Sequence, residues 1–244
     1  MTEKLHISIK AEEIFSLGGM PITNSYLASI MGLALFLIIA VTFFNNRNNT
    51  KSNSAFFIRF ITTKLYDLFF PIFGERTEKF FPLVGSIFAF VLLSNWIGLI
   101  PGVGSLLVET GHGEKVPLLR AATADLNTTT ALALIAFVSI QYYGVFYLGI
   151  FGYIRKFINL SSPVNLFSGL LEVVSELSKI ISFTFRLFGN IFAGEVLIAV
   201  IAFLIPVLAS FPFLLLEIFV GLIQALVFAL LTAVFINLAI AKHH

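Results

Sequence analysis

Residues 164–205 run without a proline, 42 mostly apolar positions in a row. As one helix they span about 63 Å at 1.5 Å per residue, roughly twice the ~30 Å of a bilayer's hydrocarbon core. Either a break divides the stretch or it lies strongly tilted. Pro206 and Pro212 in "PVLASFP" then predict a turn, and residues 213–241 a second long helix whose one charge is Glu217. The pair predicts a tilted two-helix hairpin.

The rest of the chain agrees with a membrane setting. Of its 244 residues 58% are hydrophobic and 11% charged, against about 25% charged in soluble domains. A bilayer core takes about 20 apolar residues as a helix. Residues 26–44, 80–101 (with Asn95) and 131–154 (with Gln141) meet that length. Residues 53–74 are apolar but broken by Arg59, Lys64 and Asp67, which predicts an interfacial helix. The expected class is an all-α integral membrane protein with about five membrane-embedded helices plus this interfacial one. Residues 1–25 carry Lys4, Lys10, Glu12 and Glu13, which a secretory leader's apolar run would not. They are expected to stay as an outer-surface segment, and 102–130 to form an outer loop.

Positive charge sets the expected orientation. Residues 45–79 carry Arg47, Lys51, Arg59, Lys64, Arg76 and Lys79, whereas 102–130 carry Lys115 and Arg120 against Glu109, Glu114 and Asp125. Arg155, Lys156 and Lys242 follow the later spans. The amino terminus is expected outside and the carboxyl terminus in the cytoplasm. A net charge of +2 is too small to argue for nucleic acid, and without cysteine there are no disulfides or thiolate metal sites. His6, His112, His243 and His244 form no metal pair within an apolar segment, so no metal or cofactor is expected.

Within residues 164–205 the charges are patterned. Measured around the helix from Arg186, Lys179 falls at about 20°, Glu172 and Asn190 at about 40° and Glu176 at about 80°. Ser175 and Ser182 flank this ribbon, and Glu195, at about 180°, points away from it. Glu176 and Lys179 are spaced to pair with each other. Arg186 is not so served: three and four positions away stand Ser182, Phe183, Gly189 and Asn190. A charge at the membrane centre costs ~2.5–3.5 kcal/mol on insertion scales, which predicts a carboxylate from outside the helix. Glu217 could serve Arg186 or, equally, Glu195. Arginine cannot carry a proton by losing one. It acts as a fixed positive field, whereas Glu172, Glu195 and Glu217 can take up and release protons. A fixed charge between titratable groups describes an interrupted proton route.

At these residues the chain resembles the a subunit of the F-type ATP synthase membrane motor, of bacterial type. The resemblance rests on "RLFGNIFAGE" (186–195), "LEVVSELSK" (171–179) and "LIQALVFALLT" (222–232). Weaker support comes from "SNWIGLIPG" (94–102) and "TADLNTT" (123–129). It implies a stator with two aqueous half-channels that pass protons to and from the carboxylates of a rotating c-subunit ring. Arg186 matches the arginine that meets the ring carboxylate and blocks a direct leak. Glu195, Glu217, Gln224 and Asn190 match the outer half-channel, with Asp125 and Asn127 at its mouth. Glu172 matches the inner half-channel, with Glu176, Lys179 and Ser182 near it. Implied partners are the c ring, b-type peripheral stalk subunits, the remaining ATP synthase subunits and membrane lipid. Some family members have histidine at the position of Glu217, so the chemistry of the outer path does not transfer.

The competing expectation is another ion-translocating or structural subunit of a respiratory or transport complex. A transporter would show inverted repeats, which this chain lacks, and a structural subunit has no use for a lone arginine. No G-x-x-x-x-G-K-[ST] loop is present, so nucleotide chemistry would lie in other subunits. The positive-inside pattern points to a bacterial plasma membrane, with an organelle inner membrane as the alternative.

Overall fold

The computed structural model describes residues 10–17, 19–46, 53–100, 106–109, 115–157, 162–204 and 210–241. All four histidines, Arg47, Lys51, Lys242 and Pro206 lie outside the described residues. The chain opens with an antiparallel hairpin, β1 (Glu13–Leu17) and β2 (Met20–Thr23), turning at Gly19 with φ 85°. Helices α1 (Asn24–Asn46), α2 (Asn53–Phe73) and α3 (Thr77–Ile97) follow, the last two joined by a 3-10 turn at Gly74–Arg76. A second small hairpin, β3 (Leu107–Glu109) with β4 (Lys115–Pro117), precedes a 3-10 turn at Ala122–Ala124. Then come α4 (Leu126–Phe157), α5 (Pro163–Leu204) and α6 (Ser210–Ile240).

Five stretches are long and apolar enough to cross a membrane: Asn24–Asn45, Phe56–Ile97, Leu126–Phe157, Pro163–Leu204 and Phe211–Ile240. The all-α membrane class holds, with two small hairpins added. Helix α5 is a single run of 42 residues, so no break divides it, and it is longer than a ~30 Å core needs.

Several boundaries differ from expectation, among them α3, which spans Thr77–Ile97 rather than 80–101. Helix α4 starts at Leu126, not 131, because Asp125 ends the preceding loop in an extended conformation and its Oδ1 accepts the Asn127 N–H at 3.1 Å. That is an N-cap, which satisfies one of the helix's orphan donors. Helix α4 also breaks at Gly149 (φ 72°, ψ 158°), a conformation open to glycine and costly for other residues. Pro212 belongs to the first turn of α6 rather than to a connecting turn; there its missing N–H is tolerated.

The core lies where α6 packs against α3, α4 and α5. Ala225, Ala229 and Ala233, one helical turn apart, are fully buried on α6. Without a hydrophobic drive between helices in lipid, such small side chains let backbones approach closely. Phe80, in the first turn of α3, is fully buried, stacked on Phe73 at 4.7 Å and edge-on to Tyr143 at 4.9 Å. The outer surface is apolar, with Ile38, Val41, Val138, Val174 and Ile181 all exposed. Water would penalise this surface and lipid does not.

One end of the bundle gathers both hairpins, the start of α1, the start of α4 and the later part of α5, joined by Asn24 to Glu12 and Pro117 and by Arg120 to Glu195. The other end gathers Arg155, Lys156 and the start of α5.

Candidate functional site

The polar ribbon of α5 divides between two environments. Arg186, Ser182, Gly189 and Asn190 are exposed, whereas Glu176 is buried. Arg186 Nη2 donates to Ser182 Oγ at 3.2 Å, and among the described residues no carboxylate pairs with it. It lines a groove of about 240 Å³ with Ser175, Ser178, Lys179 and Ser182, floored by Phe183, Leu231 and Phe235. A permanent cation thus stands on an exposed face of a membrane helix.

Glu195 points the other way, as its helical angle requires, and finds a partner 75 residues away in sequence. Arg120 Nε donates to both Glu195 oxygens at 3.0 Å. Glu217 serves neither Arg186 nor Glu195. It is buried on α6 with its carboxylate laid over Gly194, where a Cβ would overlap all three carboxylate atoms. Among the described residues it makes no hydrogen bond or ion pair. Gln224, two turns further on, is half-buried on the same face of α6. Asp125 is buried and spends an oxygen on capping α4, while Asn127 is exposed beside it.

Nearby, Asn95 binds three segments together. Its Nδ2 donates to the Gly221 carbonyl at 2.9 Å, and its Oδ1 accepts from Thr123 Oγ1 at 2.6 Å. Trp96 Nε1 adds a bond to the Ile218 carbonyl at 3.1 Å. The motifs around Asn95 and Thr123 therefore fix the α6 backbone on which Glu217 and Gln224 stand.

At the opposite end a neutral cluster forms. Lys156 Nζ lies 2.7 Å from Glu172 Oε1 and 3.6 Å from Glu176 Oε1. Lys179 Nζ donates to Glu176 Oε1 at 2.7 Å, and Gln141 Nε2 to Glu176 Oε2 at 3.0 Å. Tyr153 donates to Gln141 Oε1. The break at Gly149 makes this contact, since it turns the end of α4 back so that the Tyr153 ring rests on Gly144. Two lysines and a glutamine thus hold buried Glu176, whereas Glu172 is about one-third exposed. The expected Glu176–Lys179 pairing is present. Arg120, Lys156, Gln141 and Tyr153 are site neighbours that sequence reasoning did not single out.

In an all-α membrane protein, ionisable side chains held between the helices mark the class of proteins that carry ions or substrates through the bilayer. The ATP synthase A chain family matches residues 26–237. The chloroplastic ATP synthase subunit a of Oedogonium cardiacum is 40% identical over 190 residues, 77% of this chain and 71% of that protein. That of Stigeoclonium helveticum is 38% identical over 193 residues, covering 77% and 72%. The chain belongs to the ATP synthase subunit a family, the proton-translocating stator subunit in the membrane sector of a multisubunit ATP synthase.

Proposed function

We propose that the two polar clusters are the two half-channels of the stator and that Arg186 separates them. Protons enter past Asp125 and Asn127 and move by way of Glu195, Asn190, Glu217 and Gln224 to a carboxylate on a rotating ring of c subunits. After nearly a full turn the ring carboxylate releases its proton toward Ser182, Lys179, Glu176 and Glu172, with Glu172 at the exit. Arg186 meets each arriving ionised carboxylate and, being unable to give up its own proton, keeps the two paths apart.

One observation carries this proposal: Arg186 is exposed on α5 with Ser182 as its polar contact and no carboxylate partner among the described residues. A charge inside a membrane is retained only with compensation. A carboxylate supplied in trans provides it, and a ring supplies one after another. The drive is adequate, since one elementary charge crossing 100 mV contributes ~2.3 kcal/mol. The b-type peripheral stalk and the remaining synthase subunits complete the assembly, with lipid on the free faces and α2 along the inner surface. Positive-inside charge supports a bacterial plasma membrane with the carboxyl terminus in the cytoplasm. The chloroplastic relatives favour an organelle as the alternative.

The test is Arg186→Ala in the complete synthase. ATP-driven proton pumping is expected to vanish and passive proton leak to rise. Wild-type coupling in that variant would overturn the proposal.

A further inference from the structure

Arg120 lies in the short connection between β4 and the 3-10 turn, yet it is among the most buried charges described, at 8% exposure. Its guanidinium joins three segments that are remote in sequence. The Nε–H is shared between both Glu195 oxygens at 3.0 Å, and Nη1 donates to the Lys10 carbonyl at 3.2 Å. The guanidinium also lies over the Phe192 ring, 5.7 Å from its centroid. The same segments meet again at Asn24, whose Nδ2 donates to Glu12 Oε2 at 3.2 Å and to the Pro117 carbonyl at 3.4 Å.

Charge neutralisation alone needs none of this. A flexible ammonium would compensate Glu195, whereas a planar guanidinium fixes direction as well as charge. Exposure is also divided unequally across the pair: the Arg120 side chain is 7% exposed and that of Glu195 39%. The cation is immobilised and the carboxylate is held with one side open. Lys10 and Asn24 tie the amino-terminal segment to the connection that carries Arg120. The charged groups that act on Glu195 are its ion-pair partner Arg120 and the Glu12 carboxylate, with Glu217 on α6 lying against the preceding residue, Gly194.

We propose that Arg120 is a positioning residue of the proton path. It holds the Glu195 carboxylate in one place and orientation, open on the side a proton must use, and anchors the amino-terminal segment through the Lys10 carbonyl. This inference rests on the role proposed above for Glu195.

The experiment compares Arg120→Gln, Arg120→Lys and Glu195→Gln, singly and combined, in the complete synthase in inverted vesicles. ATP-driven pumping, its pH profile and passive leak are read together. Misplacement of a reacting group by about 1 Å can cost up to 10²-fold in rate. Arg120→Gln is expected to slow pumping about tenfold or more and to move the pH profile, with leak unchanged. Arg120→Lys should recover part of the rate. In a Glu195→Gln background, Arg120→Gln should add little, because positioning has no object once the carboxylate is gone. If Arg120→Gln does not accumulate, the same dependence on Glu195 is tested with Arg120→Lys. An unchanged rate and pH profile, or an equal loss with and without Glu195, overturns the inference. The Arg186→Ala result separates the two claims. If that variant uncouples while Arg120 acts independently of Glu195, only the positioning role fails.

Discussion

Gly194→Ala tests the close contact between α5 and α6 on which the outer path depends. A Cβ at Gly194 would overlap Cδ and both oxygens of Glu217. The backbone has no reason to resist, since alanine is favoured over glycine by about 1 kcal/mol in a helix. The obstructing atoms are the end of a flexible side chain, so the carboxylate moves and the helices stay. Overpacking of this kind costs about 1–3 kcal/mol, which displaces the native Glu217 conformer by about 5- to 150-fold. If protons load through that conformer, ATP-driven pumping should fall within that range while the complex still assembles. The assay is dye quenching in inverted vesicles, normalised to ATP hydrolysis. Gly152→Ala is the control, because a Cβ there meets Leu148 at an ordinary 3.7 Å. Glu217→Asp withdraws the carboxylate by about one C–C bond, ~1.5 Å, and should partly rescue Gly194→Ala. A Gly194→Ala enzyme that pumps as well as Gly152→Ala would refute the reasoning.

Glu172→Gln should slow proton release without uncoupling; a leak as large as that of Arg186→Ala would remove Glu172 from the exit. Asn95→Ala loses bonds to Gly221 and Thr123. With intramembrane hydrogen bonds averaging ~0.6 kcal/mol each, it should lower the thermal midpoint of the purified complex modestly and also slow pumping per assembled complex, because the lost bonds hold the α6 backbone that carries Glu217 and Gln224. Gly149→Ala forces alanine into a positive-φ, extended-ψ conformation open essentially to glycine alone, at roughly 1–3 kcal/mol. It should release Tyr153 from Gln141, read as lower thermal stability with a deuterium-exchange increase confined to the end of α4.

The long helices were legible because apolar length and the absence of proline are local properties. Arg186 was legible too, since neighbours on a helix follow from spacing and none of its own is acidic. The opposed direction of Glu195 also followed from helical angle. Its partner did not: Arg120 sits 75 residues away in what read as a loop charge, and no periodicity connects a loop to a helix. Glu217 left two alternatives, and the structure took neither, laying the carboxylate over Gly194 instead. The glycine was visible, but only the meeting of two helices shows what it accommodates. The amino-terminal hairpin had a signal in "LGGM", a glycine pair between two apolar runs. The break in α4 had only Gly149 among other span glycines; the side-chain cluster it permits lies out of reach of pattern. The ribbon's split likewise needed α4 in place, because Gln141 and Lys156 draw Glu176 inward while Arg186 remains outside.

The central claim is that the exposed Arg186 face of α5 receives a carboxylate from a rotating ring. These 244 residues include no cysteine, so a single introduced thiol is the one thiol among them. Gly189 lies on that face, and a side chain there meets nothing within 4 Å in this chain. Gly189→Cys, paired with a cysteine placed beside the ring's mid-membrane carboxylate, should form a disulfide on mild oxidation and stop ATP-driven rotation until reduced. Ile38→Cys, on the exposed face of α1, should not. Equal cross-linking from both positions, or none from Gly189→Cys in an active complex, would contradict the account.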